Sequence, residues 1–190
     1  MYRGDAGSAR SRRAPHCRRR RRRVLLHRRS LQEFSTHSGV TPLASLNEIL
    51  GDPKRCGVFR YGGDLDRLES AAERANLSLH KLDLSLARSK KDALKSFAKT
   101  LKFPTYFGEN WDALDECLSD LDWLDAPGWM LIVTGAGKFA AVDEESLVTI
   151  LDVLNSAAEY WSEEGKPFWA IVIGEGQTKG LANLKPVPEK

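Results

Sequence analysis

Two six-residue runs, WMLIVT at 129–134 and FWAIVI at 168–173, carry no charge and do not alternate between polar and apolar residues. A strand with one face in water must alternate, because successive side chains point to opposite faces. Runs that are apolar on both sides belong in a sheet covered on both faces, as parallel strands are. Helical periodicity fills the intervals. Asp143 to Glu164 repeats Leu147, Ile150, Leu151, Leu154, Ala158 and Trp161 until Gly165 and Pro167 stop it. Ser89 to Leu101 carries Leu94, Phe97, Ala98 and Leu101 at i, i+3, i+4 and i+7, and Asp64 to Asn76 places Leu65, Leu68, Ala71, Ala72 and Ala75 on one side. Val58, Phe59 and Tyr61 mark a short strand, and Leu77 to Leu84 alternates with a phase slip at His80 and Lys81. The expected fold class is α/β, a small three- or four-stranded, mostly parallel sheet covered by helices.

This domain runs from about Gly57 to Gly174, and roughly 120 residues suffice for one core of ordinary size. Residues 41–56 read as a linker, in which Leu43, Leu46, Ile49 and Leu50 have a helical spacing that Gly51 and Pro53 cut short. Residues 175–190 hold Pro186, Pro188 and little apolar content, so a loose tail is expected. Residues 1–40 differ in composition from all of this. Twelve arginines precede Val40 against only Asp5 and Glu33, a local balance of +10 in a chain of net +3, which leaves the remainder at −7. The run from Arg18 to Arg23, set among Ser, Gly and Pro, buries too little to offset its ordering entropy and is expected to be disordered. Such an arm, if real and exposed, would bind nucleic acid. Lesser readings of its composition are a transit segment, or residues that precede a start further downstream. Val24 to Leu26 is too short for a secretory core and no apolar run reaches transmembrane length, so no membrane partner and a cytoplasmic location are expected.

Between the two central helical patterns lies FPTYFGENWDALDECLSDLDW, residues 103–123. Pro104 opens a turn, Gly108 offers a residue free to take positive φ, and Asn110 is a natural N-cap for a helix from Trp111 to about Leu121. Trp111, Leu114, Cys117, Leu118 and Leu121 share one arc of that helix, leaving Asp112, Asp115, Glu116 and Ser119 on the other side. No Lys or Arg occurs between Lys102 and Lys138. An uninterrupted acidic face keeps like-charge pairs such as Asp112 and Glu116, each unfavourable by a few tenths of a kcal/mol. Solvated surface explains such a face in many proteins; the functional alternative is a docking face for a cationic partner.

Enzyme chemistry finds no machinery. Gly135 to Ala140, GAGKFA, formally matches G-x-G-x-x-A, yet it falls late in the chain and the next strand is wholly apolar where a ribose-binding acid is needed. The P-loop form fails because Phe139 follows Lys138. Cys17, Cys56 and Cys117 are odd in number and widely spaced, fitting neither a disulfide framework nor a zinc site. Of the four histidines, only His80 lies outside the N-terminal arm. No cofactor and no metal is expected, and the reading is of a non-enzyme.

The residues Pro104, Tyr106, Phe107, Gly108, Glu109, Asn110, Asp112, Ala113 and Leu114 are similar to the P-x-Y-[YF]-G-E-N-x-D-A-L signature of the barstar family. The resemblance extends more loosely from about Gly57 to Gly174. It implies a barstar-like fold and an inhibitor or immunity protein that blocks the active site of a basic ribonuclease, or another cationic protein, with carboxylates standing where RNA phosphates bind. Tyr106, Gly108 and Asn110 then correspond to the family's binding loop, and Asp112 and Glu116 to its two helix aspartates, the second longer here by a methylene. Asp115 stands where the family's founding member has Trp. A further family glutamate on the late helix aligns near Glu159 or Tyr160 with one residue inserted. The alternative is a nucleic-acid-associated or protein-binding module in which the Arg-rich arm binds.

Overall fold

Side chains of the two apolar runs divide alternately between two cores. Trp129, Leu131 and Val133 pack with Phe168, Ala170 and Val172 on one face, while Met130, Ile132, Trp169 and Ile171 pack on the other. The computed structural model describes residues 46–174 and 182–184. The Arg-rich segment and its expected disorder lie outside the described residues, as do Leu43 and most of the stretch 175–190. Five strands, β1 (Gly57–Tyr61), β2 (Ser78–Asp83), β3 (Trp129–Thr134), β4 (Phe168–Ile173) and β5 (Ala182–Asn183), form one sheet in the order β2-β3-β4-β1-β5. Every pairing is parallel, in registers such as Trp129 with Phe168 and Gly57 with Trp169. The sheet is therefore wider than the three or four strands expected and parallel throughout.

The additional strand corrects part of the loose-tail expectation. Ala182 and Asn183 pair with Phe59 and Arg60, Leu184 N–H donates to the Arg60 carbonyl at 2.8 Å, and the Leu184 side chain is buried. Two paired residues are too few to show an alternation in sequence. The stretch read as a linker also joins the core. Helix α1 (Leu46–Leu50) buries Leu46, Ile49 and Leu50, and the Leu50 carbonyl accepts from the indole N–H of the fully buried Trp169 at 2.8 Å. That bond meets the polar requirement of an indole placed in an apolar interior.

Helix α1 and α2 (Leu65–Arg74) cover one face of the sheet. The other face is covered by α3 (Lys90–Thr100), α4 (Trp111–Leu118), α5 (Ala136–Ala140) and α6 (Glu144–Glu163). Side chains of Asp64, Ser89, Asn110 and Asp143 each cap a helix by accepting a backbone N–H in its first turn. The segment Gly135–Ala140 forms the short α5. Gly135 has φ +73°, and a Cβ there would stand 2.3 Å from the Ser85 nitrogen. Close approach of two backbones thus explains this glycine without any bound phosphate. No helix among the described residues is long and apolar enough to cross a membrane.

Candidate functional site

The connection from β2 to β3 carries α3, the turn and α4, so the acidic stretch is held on the sheet face that buries the larger core. Helix α3 ends with Lys102 in the left-handed region, φ +51°, and Phe103 N–H donating back to the Ala98 carbonyl at 2.9 Å. This is a Schellman closure with lysine where glycine is usual. Phe103 then stacks edge-on against Phe107 at 4.9 Å and Trp123 at 5.8 Å, and the Trp123 indole donates to the Leu101 carbonyl at 2.8 Å. Phe107 N–H closes a turn onto the Pro104 carbonyl at 3.0 Å. An aromatic base therefore pins the loop from below, while Tyr106 projects from it, 67% exposed.

At the helix entrance the expected role of Gly108 passes to its neighbour. Glu109 takes the positive φ, +48°, and Gly108 is absent from the residues that do. Gly108 matters through space instead, since a Cβ there would lie 3.0 Å from the Asn110 side-chain nitrogen. Asn110 uses both ends of its amide: Oδ1 accepts the Ala113 N–H at 2.8 Å and Nδ2 donates to the Gly108 carbonyl at 3.3 Å. Cap and loop are thus one unit, fixing where the first turn of α4 points.

Helix α4 is shorter than expected. It closes at Leu118, and Leu121 follows with φ +44°, its side chain still buried. Asp112 and Glu116 are exposed. Asp115 is not fully on the outer face: it is half-buried, and burial, followed by the charges of Asp112 and Glu116, raises its carboxyl above the ordinary value. Asp120 is raised likewise, by burial first and then by Asp122. Among the described residues no ion pair neutralises Asp112, Asp115 or Glu116; the pair found there, Lys81 with Glu69 at 2.7 Å, lies elsewhere. Nor do three His, Cys, Asp or Glu side chains among the described residues converge where an ion could be held. The carboxylates form a surface, not a chelate.

Glu159 sits on the exposed side of α6, where its Oε1 accepts from Asn155 Nδ2 at 3.2 Å, one turn earlier on the same helix. It is not bonded to the loop or to α4. The two helices are joined through the buried Trp161, whose indole donates to the Leu118 carbonyl at 2.8 Å and whose ring lies 4.5 Å from that of Trp129. One contact at the site had no sequence signal: Lys90 Nζ stands 4.7 Å over the ring of the half-buried Trp111. Its residues are 21 positions apart, beyond the reach of any helical periodicity.

The sequence profile of the family described as Barstar (barnase inhibitor) matches residues 77–173, just over half of the chain. The chain belongs to the barstar family. A comparison with curated proteins finds no match. The barstar match takes in β2 to β4 with α3 to α6, and hence the loop, the capped helix and the late helix that supports it. It runs from Leu77 to Ile173, so β1, β5, α1 and α2, which complete the sheet and its second face, lie outside the matched span.

Proposed function

We propose that this barstar-family domain is a non-catalytic inhibitor that docks on the basic active-site cleft of a ribonuclease through Tyr106, Gly108, Asn110, Asp112, Asp115 and Glu116, with Glu159 as a contact from α6. The observation that carries this reading is the set of α4 carboxylates that no ion pair among the described residues neutralises, beside a loop anchored by a cap and an aromatic base. A rigid surface loses little conformational entropy on binding. Its carboxylates are acceptors for the Arg, Lys and His side chains that bind RNA phosphates. Fold alone does not assign a partner, and the proposal rests on these side chains.

Titrating barnase, or a basic ribonuclease captured on the immobilised full chain, tests it directly. The wild type should inhibit. Asp112→Ala and Glu116→Ala should each weaken inhibition by about a hundredfold, because removing one member of a desolvated charge pair costs about 3 kcal/mol or more. Neither change opens a cavity, and both relieve the like-charge i,i+4 pair, so melting temperature should hold or rise slightly. Asp120→Ala, at the edge of the face, should have a much smaller effect. Full inhibition by both helix variants would misplace the site, and the absence of any inhibition by wild type would overturn the proposal.

A further inference from the structure

Helix α3 presents a second charged stripe beside the first, of opposite sign. Lys91, Lys95 and Lys99 lie at i, i+4 and i+8, all exposed and opposite the buried Ala93, Leu94 and Phe97, and the exposed Lys102 follows just past the end of the helix, where its charge acts on His80. A rise of 1.5 Å per residue sets such charges about 6 Å apart. Asp112 and Glu116 on α4 repeat the same spacing. Both helices pack on the same core, so both stripes face away from the same side of the sheet, and Lys90 over Trp111 fixes the start of α3 to the start of α4. Among the described residues no ion pair neutralises Lys91, Lys95, Lys99 or Lys102. Asp92, the acid on α3, accepts the Arg88 N–H and the Ser89 hydroxyl at the helix entrance, which hold its carboxyl below the ordinary value with a smaller contribution from the nearby charges of Lys95 and Lys91 and no ion pair to either.

We infer that the lysine stripe of α3 and the carboxylate stripe of α4 form a self-complementary surface on which a second copy of this chain docks. Under a two-fold axis, α3 of each copy meets α4 of the other, as an isologous contact requires. The carboxylates beside the lysines, in a chain of net −7 outside the first 39 residues, repel a polyphosphate from the same stripe. Exposed pairs of this kind support a weak, salt-sensitive dimer and not an obligate one. Because it covers Asp112 and Glu116, the dimer excludes the ribonuclease complex; this consequence rests on the proposed function, whereas self-association does not.

Sedimentation equilibrium of the full chain without ribonuclease tests the inference. The wild type should dimerise at low salt and dissociate as salt rises. The triple change Lys91→Glu, Lys95→Glu, Lys99→Glu and the double change Asp112→Lys, Glu116→Lys should each weaken self-association by about tenfold or more, two or more exposed contacts being lost at each stripe. An equimolar mixture of the two should regain a heterodimer. Where either charge reversal prevents folding, as judged by circular dichroism, Lys95→Gln with Lys99→Gln and Asp112→Asn with Glu116→Gln provide neutral replacements. A wild type that stays monomeric at low salt overturns the inference. So does self-association that survives the lysine changes, whether carried by the Arg-rich residues or by another surface.

Discussion

Asp115→Asn should stabilise this protein at neutral pH while weakening its hold on a cationic partner. The carboxylate is half-buried, makes no side-chain hydrogen bond among the described residues, and lies near Asp112 and Glu116, which together raise its pKa. Asparagine keeps the shape and has a similar helix propensity, so the change isolates the charge. Relief of the i,i+3 repulsion with Asp112 contributes about 0.2–0.5 kcal/mol. Recovered desolvation, discounted for the exposed part of the group, brings the total to about 0.5–1 kcal/mol, or about 2–4 °C in melting temperature. A carboxyl with a raised folded pKa binds its proton more tightly in the native state. Its contribution to stability is therefore present in acid and is lost as pH rises from the ordinary aspartate range through the raised value. The advantage of the variant should accordingly be full at neutral pH and should fade in acid, where both states of the wild type carry a neutral side chain. Thermal denaturation followed by circular dichroism across this range reads both quantities. A variant less stable than wild type at neutral pH, or an advantage independent of pH, would show that the Asp115 charge is compensated by a favourable contact and refute the reasoning.

Three further outcomes follow from the fold. Asn110→Ala should cost about 1 kcal/mol and lower the melting temperature by about 4 °C, while Asn110→Asp, which keeps the acceptor for Ala113 N–H, recovers most of the loss. Gly135→Ala should cost about 3 kcal/mol or more in urea unfolding, since it adds left-handed strain to a Cβ 2.3 Å from the Ser85 nitrogen. Deleting residues 1–39 should leave the melting temperature almost unchanged, because the described residues between 46 and 184 supply two cores.

How far the sequence foretells this structure depends on how local each determinant is. The β3 and β4 runs, the α3 and α6 repeats and the Asn110 cap are written within single elements, and each forms where its pattern places it. Strand β5 is invisible because its two residues are held by β1, more than 120 positions earlier. Glu109, and not Gly108, takes the positive φ, while glycine at 108 answers to space, since a Cβ there would lie 3.0 Å from the Asn110 side-chain nitrogen, a contact made only once the cap has formed. The acidic character of the candidate face was legible as a run without Lys or Arg, but the burial of Asp115 was not. It sits at the border of the apolar arc of α4, where the packing of neighbours decides exposure and periodicity does not.

The strand order also sets a clock on assembly. β4 lies between β3 and β1, although it is made after both, and β1 has β4 and β5 as its neighbours. When β1 leaves the ribosome, neither strand it will pair with exists. At about 5–20 residues per second, the 107 positions from Tyr61 to Phe168 take roughly 5–20 s to synthesise. Only the β2–β3 pair can close in the meantime, and it lacks the central strand that would cover its inner edge. Closing the sheet then requires contacts of long sequence separation, the kind that slow folding. The carboxylate helix shares this delay, since the Trp161 bond that holds its end comes from α6, emerging just ahead of β4. A nascent chain therefore displays its acidic helix well before that helix has a fixed place.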